Sequence, residues 1–235
     1  MAAVPDVKIL GSWASPFVMR PCIALNLKNV KYDFRQEQFG VKSDLLLKSN
    51  PVHKKIPVMI HNDKPICESL IIVQYIDDFF NSSGPAILPV EPYDRAIARF
   101  WAAYVDDKWF GLLRGVTTAK TDEEKKAAIE AVTAGVGLLE DAFQEISKGK
   151  SYFGGDTVGY VDIAFGSCLG WMKVSEKLNG FTLLGESSTP GLYGWAERFC
   201  ADEAVKDVMP ETEKLAEFAK ALFARMAGAG AQARK

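Results

Sequence analysis

Between Asn50 and Ile76 the chain gathers residue types that can build a site for a ligand with an extended backbone and a carboxylate. A basic loop, His53-Lys54-Lys55, leads through an Ile56-Pro57 step into the apolar run Val58-Met59-Ile60-His61. A turn at Asn62-Asp63, a second short strand at Ile66-Cys67 and a helix opened by Glu68-Ser69 follow. Pro57 has no N–H to give a strand ladder, so the Ile56 carbonyl and N–H are turned out of the sheet and can pair with something extended. A cis Ile56-Pro57 bond would do this best, cis bonds being almost wholly a proline feature. Ser69 stands at the mouth of a helix whose apolar residues Leu70, Val73, Ile76 and Phe80 recur at helical spacing. A hydroxyl and free backbone N–H groups at a helix N-terminus hold a carboxylate well. Ser69 alone reads as a cap and Pro57 alone as a turn-former; the pair asks for more.

The elements that must position these residues are legible on either side. Val7–Gly11 reads as a strand, and Ser15-Pro16 as a helix start, because serine caps and proline is tolerated at the first helical position. Val18, Met19, Cys22, Ile23 and Leu25 give that helix an apolar face to about Lys28, and Tyr32–Gln36 reads as a second strand. A short amphipathic piece, Ser43–Lys48, leads into the basic loop. The order β-α-β-α-β-β-α, with a proline before the third strand, is that of a thioredoxin-like domain. Helix between strands implies a right-handed crossover and a parallel pair, and the close third and fourth strands imply a hairpin.

The turn-rich stretch Asn81–Ala86 marks a boundary, dividing the chain into a domain over 1–82, a linker over 83–92 and an all-helical domain over 93–235. Ile97, Phe100, Trp101, Tyr104 and Lys108 mark a long helix ending near Gly115. Thr121-Asp122-Glu123-Glu124 has the form of a capping box, and Ala128, Val132, Val136, Leu139, Phe143 and Ile146 continue its helix. Tyr160–Glu176 reads as one buried helix, with Gly159 at the cap and the Asp162 carboxylate reaching back to the cap N–H. Shorter helices over Leu192–Phe199 and Glu213–Met226 precede an Ala/Gly-rich end expected to fray.

Composition excludes several classes. A chain of 235 residues, 48% hydrophobic and 25% charged, is globular. A net charge of -2 gives no basic footprint for nucleic acid. No apolar run approaches a membrane span, and Met1–Asp6 lacks the regions of a secretory signal, so the cytosol is the expected compartment. Cys22, Cys67, Cys168 and Cys200 show no C-x-x-C spacing and read as reduced packing residues. With only His53 and His61 available, both read as structural or exposed, a metal site is not expected.

Trp13-Ala14-Ser15-Pro16-Phe17, the run Lys42–Val58, Glu68-Ser69-Leu70-Ile71, Arg95–Tyr104, Phe153-Gly154-Gly155-Asp156 and Val161-Asp162-Ile163-Ala164 together resemble the plant tau class of glutathione transferases over nearly the whole chain. The resemblance implies a glutathione transferase fold, conjugation of glutathione to hydrophobic electrophiles in detoxification and stress, no cofactor beyond glutathione as co-substrate, and a homodimer joining one subunit's small domain to the other's helical domain. It also implies roles for residues. Ser15 is the catalytic candidate, donating to the bound thiolate. Lys42 and Lys55 go to the glycine carboxylate, the Ile56 backbone to the cysteinyl unit, Glu68 to the γ-glutamyl amine and Ser69 to its carboxylate. Phe17, Phe110, Arg114, Trp171 and Phe218 are the candidates for the electrophile pocket.

Each assignment has a plainer counterpart: Ser15 as an N-cap, loop lysines as solvated charge, helical aromatics as core, Arg114 as the partner of an acid. Asp106-Asp107 reads as surface charge, since adjacent helix positions point apart. Three functions differ in class: the transferase, a glutathione-dependent thiol reductase, which in related classes uses cysteine where Ser15 stands, and a carrier of apolar ligands.

Overall fold

The computed structural model describes residues 6–38 and 40–232, with side chains as far as Arg225. Strands β1 (Val7–Gly11), β2 (Asp33–Gln36), β3 (Val58–His61) and β4 (Lys64–Cys67) form one sheet in the order β2-β1-β3-β4. β1 and β2 run parallel, with Ile9 opposite Phe34, while β3 is antiparallel to both β1 and β4, with Met59 between Ile9 and Ile66. The central strands β1 and β3 are almost wholly buried and apolar, and the edges β2 and β4 are largely exposed. Pro65 sits in edge strand β4, where a missing ladder donor is tolerated. Asn62 and Asp63 both take positive φ, +48° and +62°, the requirement of a two-residue hairpin turn matched to strand twist.

Helices α1 (Pro16–Leu27) and α3 (Ser69–Phe79) pack together on the sheet, and the short α2 (Asp44–Ser49) lies against β3. The chain then crosses to the helical part through a pinned linker. Lys28, 1% exposed, places its Nζ 2.8 Å from Asp77 Oδ1 and donates to the Pro85 carbonyl at 2.7 Å. Asp77 in turn accepts from the Ile87 and Leu88 N–H groups, both at 2.9 Å. Gly84, at φ +65°, lies so close to the Leu27 carbonyl that a Cβ would fall 2.0 Å from its oxygen.

From Pro92 onward the described elements are helical: α4 (Pro92–Tyr104), a π-helical turn (Val105–Trp109), α5 (Phe110–Thr118), α6 (Asp122–Ser147), α7 (Tyr160–Gly166), α8 (Leu169–Asn179), α9 (Pro190–Ala201) and α10 (Thr212–Gln232). Their core centres on stacked and edge-on rings: Trp109 meets Phe165 at 4.9 Å, and Phe165 stacks on Trp195 at 5.1 Å. No described helix is long and apolar enough to cross a membrane.

The fold is the thioredoxin-like α/β unit followed by helices that the sequence predicts, with instructive differences. The long helix over 93–115 reaches Thr118 and contains the π-turn, which no apolar period reveals. The expected single helix over Tyr160–Glu176 is broken at Ser167-Cys168. There the Ser167 hydroxyl donates to the Ala164 carbonyl, and the Cys168 N–H tightens onto Phe165 three residues back. The capping box at Thr121 is half formed: its Oγ1 accepts from the Glu124 N–H, but the Glu124 carboxylate takes the Lys120 N–H instead. The Ala/Gly-rich end is helical to Gln232, and Ala233–Lys235 lie outside the described residues.

Asp162 does more than cap. Its Oδ2 accepts from the Gly159 and Gly154 N–H groups at 2.8 Å, and its Oδ1 from the Phe153 N–H at 2.9 Å and the Trp195 indole at 2.7 Å. All of these partners are donors, so an amide cannot replace the carboxylate. Asp162→Asn sets an NH2 group against two N–H groups and is expected to cost roughly 3 kcal/mol, read as a lower midpoint in urea.

Candidate active site

Ser15 is the N-cap residue of α1, with the extended backbone (φ −87°, ψ 119°) of that position, and its carbonyl accepts from the Val18 and Met19 N–H groups. Its hydroxyl makes no capping hydrogen bond. Pro16 at the first helical position has no N–H to satisfy. The plain capping role is therefore left to the Ser15 backbone, and Ser15 lines a cavity of about 440 Å³.

That cavity lies where α1 meets the helical domain. Ser15, Phe17 and Ile56 line it from the small domain; Phe110 and Arg114 on α5, Trp171 and Ser175 on α8, and Phe218 and Phe223 on α10 line it from the other. Phe17 and Phe110 close edge-to-face at 5.3 Å, and the Trp171 indole donates to the Ala14 carbonyl at 2.7 Å. All five sequence-derived pocket residues border this one space together with Ser15. A shallower groove of about 870 Å³, between the α1–β2 turn and the segment 202–204, contains none of them.

The residues expected around an extended ligand are built by the loop before β3 and by the β4–α3 junction. Asn50 is buried and ties the loop into shape, its Nδ2 donating to the Lys55 carbonyl at 2.9 Å and its Oδ1 accepting from the His53 N–H at 3.0 Å. The Ile56-Pro57 bond is cis, and neither the N–H nor the C=O of Ile56 has a hydrogen-bond partner among the described residues. The β3–β4 register, Val58 opposite Cys67, sets Ile56 beside Glu68 and Ser69. Glu68 caps α3 with φ +70°, its exposed carboxylate 3.9 Å from His53 Nε2. Lys42 and Lys55 are exposed on the loops before and after α2. The first of these loops is anchored where Ser43 gives both its N–H and its hydroxyl to Glu37.

Behind the site stands a group that sequence reasoning misses. The Arg20 guanidinium is 0% exposed, and all its N–H groups are used. It donates to Ser167 Oγ at 3.1 Å, Ser69 Oγ at 3.1 Å, the two Asp106 oxygens at 2.8 and 2.6 Å, and the Ala164 carbonyl at 2.8 Å. Its carbon centre also lies 4.9 Å from the Phe17 ring. Burial works against its charge, and Asp106 and Cys168 together more than offset this, so its pKa is raised. Asp106 is thus not the surface charge its sequence position suggests, whereas Asp107 is exposed. Ser69 does not cap α3 with its side chain either: it accepts from Arg20 and keeps its own proton to donate. The one signal available in the sequence is an arginine inside the apolar run Pro16–Leu25.

Profiles of the glutathione S-transferase N-terminal and C-terminal domains match residues 5–78 and 93–203. The structure of the Tau class glutathione S-transferase from mango (Mangifera indica) is 64% identical and superposes with a TM-score of 0.91, covering 92% of this chain and 98% of its own. The chain belongs to the tau class of the glutathione S-transferases. Glutathione S-transferase U17 of Arabidopsis thaliana is 62% identical over 94% of this chain and 97% of its own. A rice glutathione transferase solved in complex with glutathione is 36% identical, with a TM-score of 0.86 over 94% of this chain and 97% of its own.

In this tau-class chain the Arg20 cluster joins α1, which carries Ser15, to Ser69 on α3 and to the turn leading into Phe110 and Arg114. Removing its acid leaves a buried charge unpaired. Asp106→Ala is therefore expected to lower stability by about 3 kcal/mol, whereas Asp107→Ala changes it by less than about 0.5 kcal/mol. Urea unfolding of the two variants checks the contrast.

Proposed function

We propose that this tau-class transferase activates the glutathione thiol at Ser15 and joins it to hydrophobic electrophiles held in the cavity in front of that hydroxyl. The observation that carries the reading is the Ser15 side chain: at a helix N-terminus, released from capping, and bordering an apolar cavity. A free thiol with pKa about 8.5 is roughly 3% thiolate at pH 7, and lowering it by about two units requires roughly 2.7 kcal/mol. A hydrogen bond to the charged sulfur supplies about 1.5–3 kcal/mol. The N-terminus of α1 adds about 0.3–1 kcal/mol. The two together reach the requirement. The thiolate then forms a carbon–sulfur bond, with departure of a leaving group in substitution or protonation of the adjacent carbon in conjugate addition.

In this reading residues 1–82 are the glutathione domain and 93–235 carry the electrophile pocket. The unpartnered Ile56 peptide groups take the cysteinyl backbone, Glu68 the γ-glutamyl amine, and Ser69 with the α3 N-terminus its carboxylate. Lys42 and Lys55 serve the glycine carboxylate, where their exposure leaves both ammonium groups available. Phe17, Phe110, Trp171 and Phe218 enclose the electrophile. Arg114 has no acidic partner among the described residues, which supports a role in stabilising charge that develops on it. A reductase reading is disfavoured by serine at 15 and by the state of the nearest cysteine: Cys22 is buried, and burial pushes its thiol up to about 11.

The chain acts as a cytosolic enzyme of detoxification and stress, a reading supported by its four free cysteines and by the apolar character of the cavity. It pairs as a homodimer, the small domain of one copy against the helical domain of the other. Ile71 and Phe79 on α3 and Tyr93 and Phe100 on α4 leave exposed apolar area on both domains in support.

Ser15→Ala is expected to lower kcat/KM with 1-chloro-2,4-dinitrobenzene by about 10- to 100-fold, the hydrogen-bond energy above. Its pH–rate profile should move upward towards the titration of free glutathione. An unchanged rate and profile in a folded variant would remove Ser15 from the mechanism. Light scattering on the eluting peak should give twice the 25.8 kDa of the chain; a monomer mass at working concentration refutes the dimer.

A further inference from the structure

Ser175 is a polar residue of the cavity that the activation of glutathione leaves unused. It lies on α8, 3% exposed, and its hydroxyl has no hydrogen-bond partner among the described residues. It borders the same cavity as Ser15. Hydroxyls elsewhere on that wall are satisfied: Thr117 and Thr118 on α5 both donate back to the Arg114 carbonyl, at 2.9 and 3.2 Å. Ser175 makes no such bond to its own helix; of the α8 and α10 residues that line the cavity with it, Val174, Phe218 and Leu222 are apolar and the Trp171 indole N–H is given to Ala14. Trp109 Nε1 is also buried without a partner, but it lies in the core and does not border the cavity. A buried polar group without a partner is rare, and it is costly unless a ligand supplies the missing bond.

Position along α8 says where that bond would fall. Trp171, four residues earlier and on the same helix face, reaches the Ala14 carbonyl beside Ser15. Ser175 is one turn further on, about 6 Å along the helix axis. A ligand atom held at Ser175 would thus lie about one helical turn from the Trp171 anchor beside Ser15, roughly the length of an aromatic ring. Electrophiles that thiolates attack are commonly activated by carbonyl or nitro groups, whose oxygens are hydrogen-bond acceptors. Arg114, the other unpaired polar side chain on the wall, is donor-only and complements the same kind of atom.

The geometry points to Ser175 as a specificity determinant that donates a hydrogen bond to an acceptor oxygen on the far side of the electrophile. The preferred second substrate is thus an apolar, ring-sized electrophile bearing a carbonyl or nitro oxygen remote from the attacked carbon. This inference rests on the transferase reading and names the substrate class of its pocket.

The test uses two stable conjugates of matched shape, S-(4-acetylbenzyl)glutathione and S-(4-isopropylbenzyl)glutathione, titrated calorimetrically into the full chain. Ser175→Ala and Ser175→Cys, the second keeping volume but not a strong donor, are each expected to reduce the preference for the acetyl conjugate about tenfold, or 1.4 kcal/mol. The thermal midpoint of ligand-free Ser175→Ala should be equal to or above that of the wild type, since no bond is lost. An unchanged preference in both variants, with both conjugates still bound, overturns the role of Ser175 and leaves the transferase reading standing. A lowered midpoint with unchanged preference assigns the hydroxyl to the fold and likewise overturns it. Failure of the wild type to bind either conjugate overturns both readings together.

Discussion

One buried charge dictates how the two halves of this chain meet. A guanidinium fully removed from water is tolerated only when its charge is matched and every N–H is used, and Arg20 meets both conditions with groups drawn from α3, the π-turn and α7. Lysine could not do this: its compact ammonium has three donors and no planar fork to grip both Asp106 oxygens. Satisfying one residue of α1 therefore fixes three other elements relative to it, and with them Ser15, five positions earlier on the same helix. The opposite end of α1 is tied down independently, through Lys28, Asp77 and the linker. Held at Arg20 and again beyond its C-terminus, α1 serves as the shared reference for α3 and for the helices that line the cavity.

The π-turn Val105–Trp109 belongs to the same constraint. An extra residue per turn is usually found where function requires a local change of face. Here it lies between α4 and α5 and contains both Asp106, which answers Arg20, and Trp109, which is sealed in the core against Phe165. The next residue, Phe110, opens onto the cavity, followed a turn later by Arg114. One irregular turn thus converts a helix that supports the buried charge into a helix that lines the pocket.

What the sequence discloses and what it hides follow from how far each interaction reaches. Local chemistry is legible: the cis-proline step, the hairpin over Asn62-Asp63, the helix start at Ser15-Pro16 and the Asp162 cap all rest on neighbours in the chain. The five pocket candidates, four aromatics and Arg114, chosen by family resemblance and aromatic character, also border one cavity. Hidden are the contacts between distant segments. Arg20 and Asp106 are 86 positions apart, so an apolar helix face and an adjacent acid pair give each residue a sensible local meaning that is wrong. The break at Ser167-Cys168 is hidden for the same reason: Gly166 has no room for a Cβ beside Phe199, and Ser167 is drawn to Arg20. Leu113, Val174, Ser175, Leu222 and Phe223 also line the cavity without any feature that separates them from core residues in the sequence.

The arrangement separates what must stay fixed from what is free to vary. On the small domain, the groups left available are backbone groups and charges placed by turns, such as the Ile56 peptide and Glu68, so their placement tolerates little change in local conformation. Across the cavity, the lining is made of side chains of α5, α8 and α10, and each helix buries another face in the core. Trp109 and Phe110 illustrate the difference within two consecutive residues: the first is fully buried and its loss would open a cavity, while the second is partly exposed at the pocket. Phe110, Trp171 and Ser175 border the cavity without taking a hydrogen bond from Arg20. A scaffold built this way keeps its energetic demands behind α1 and leaves the side chains that line the cavity in front of it free of them.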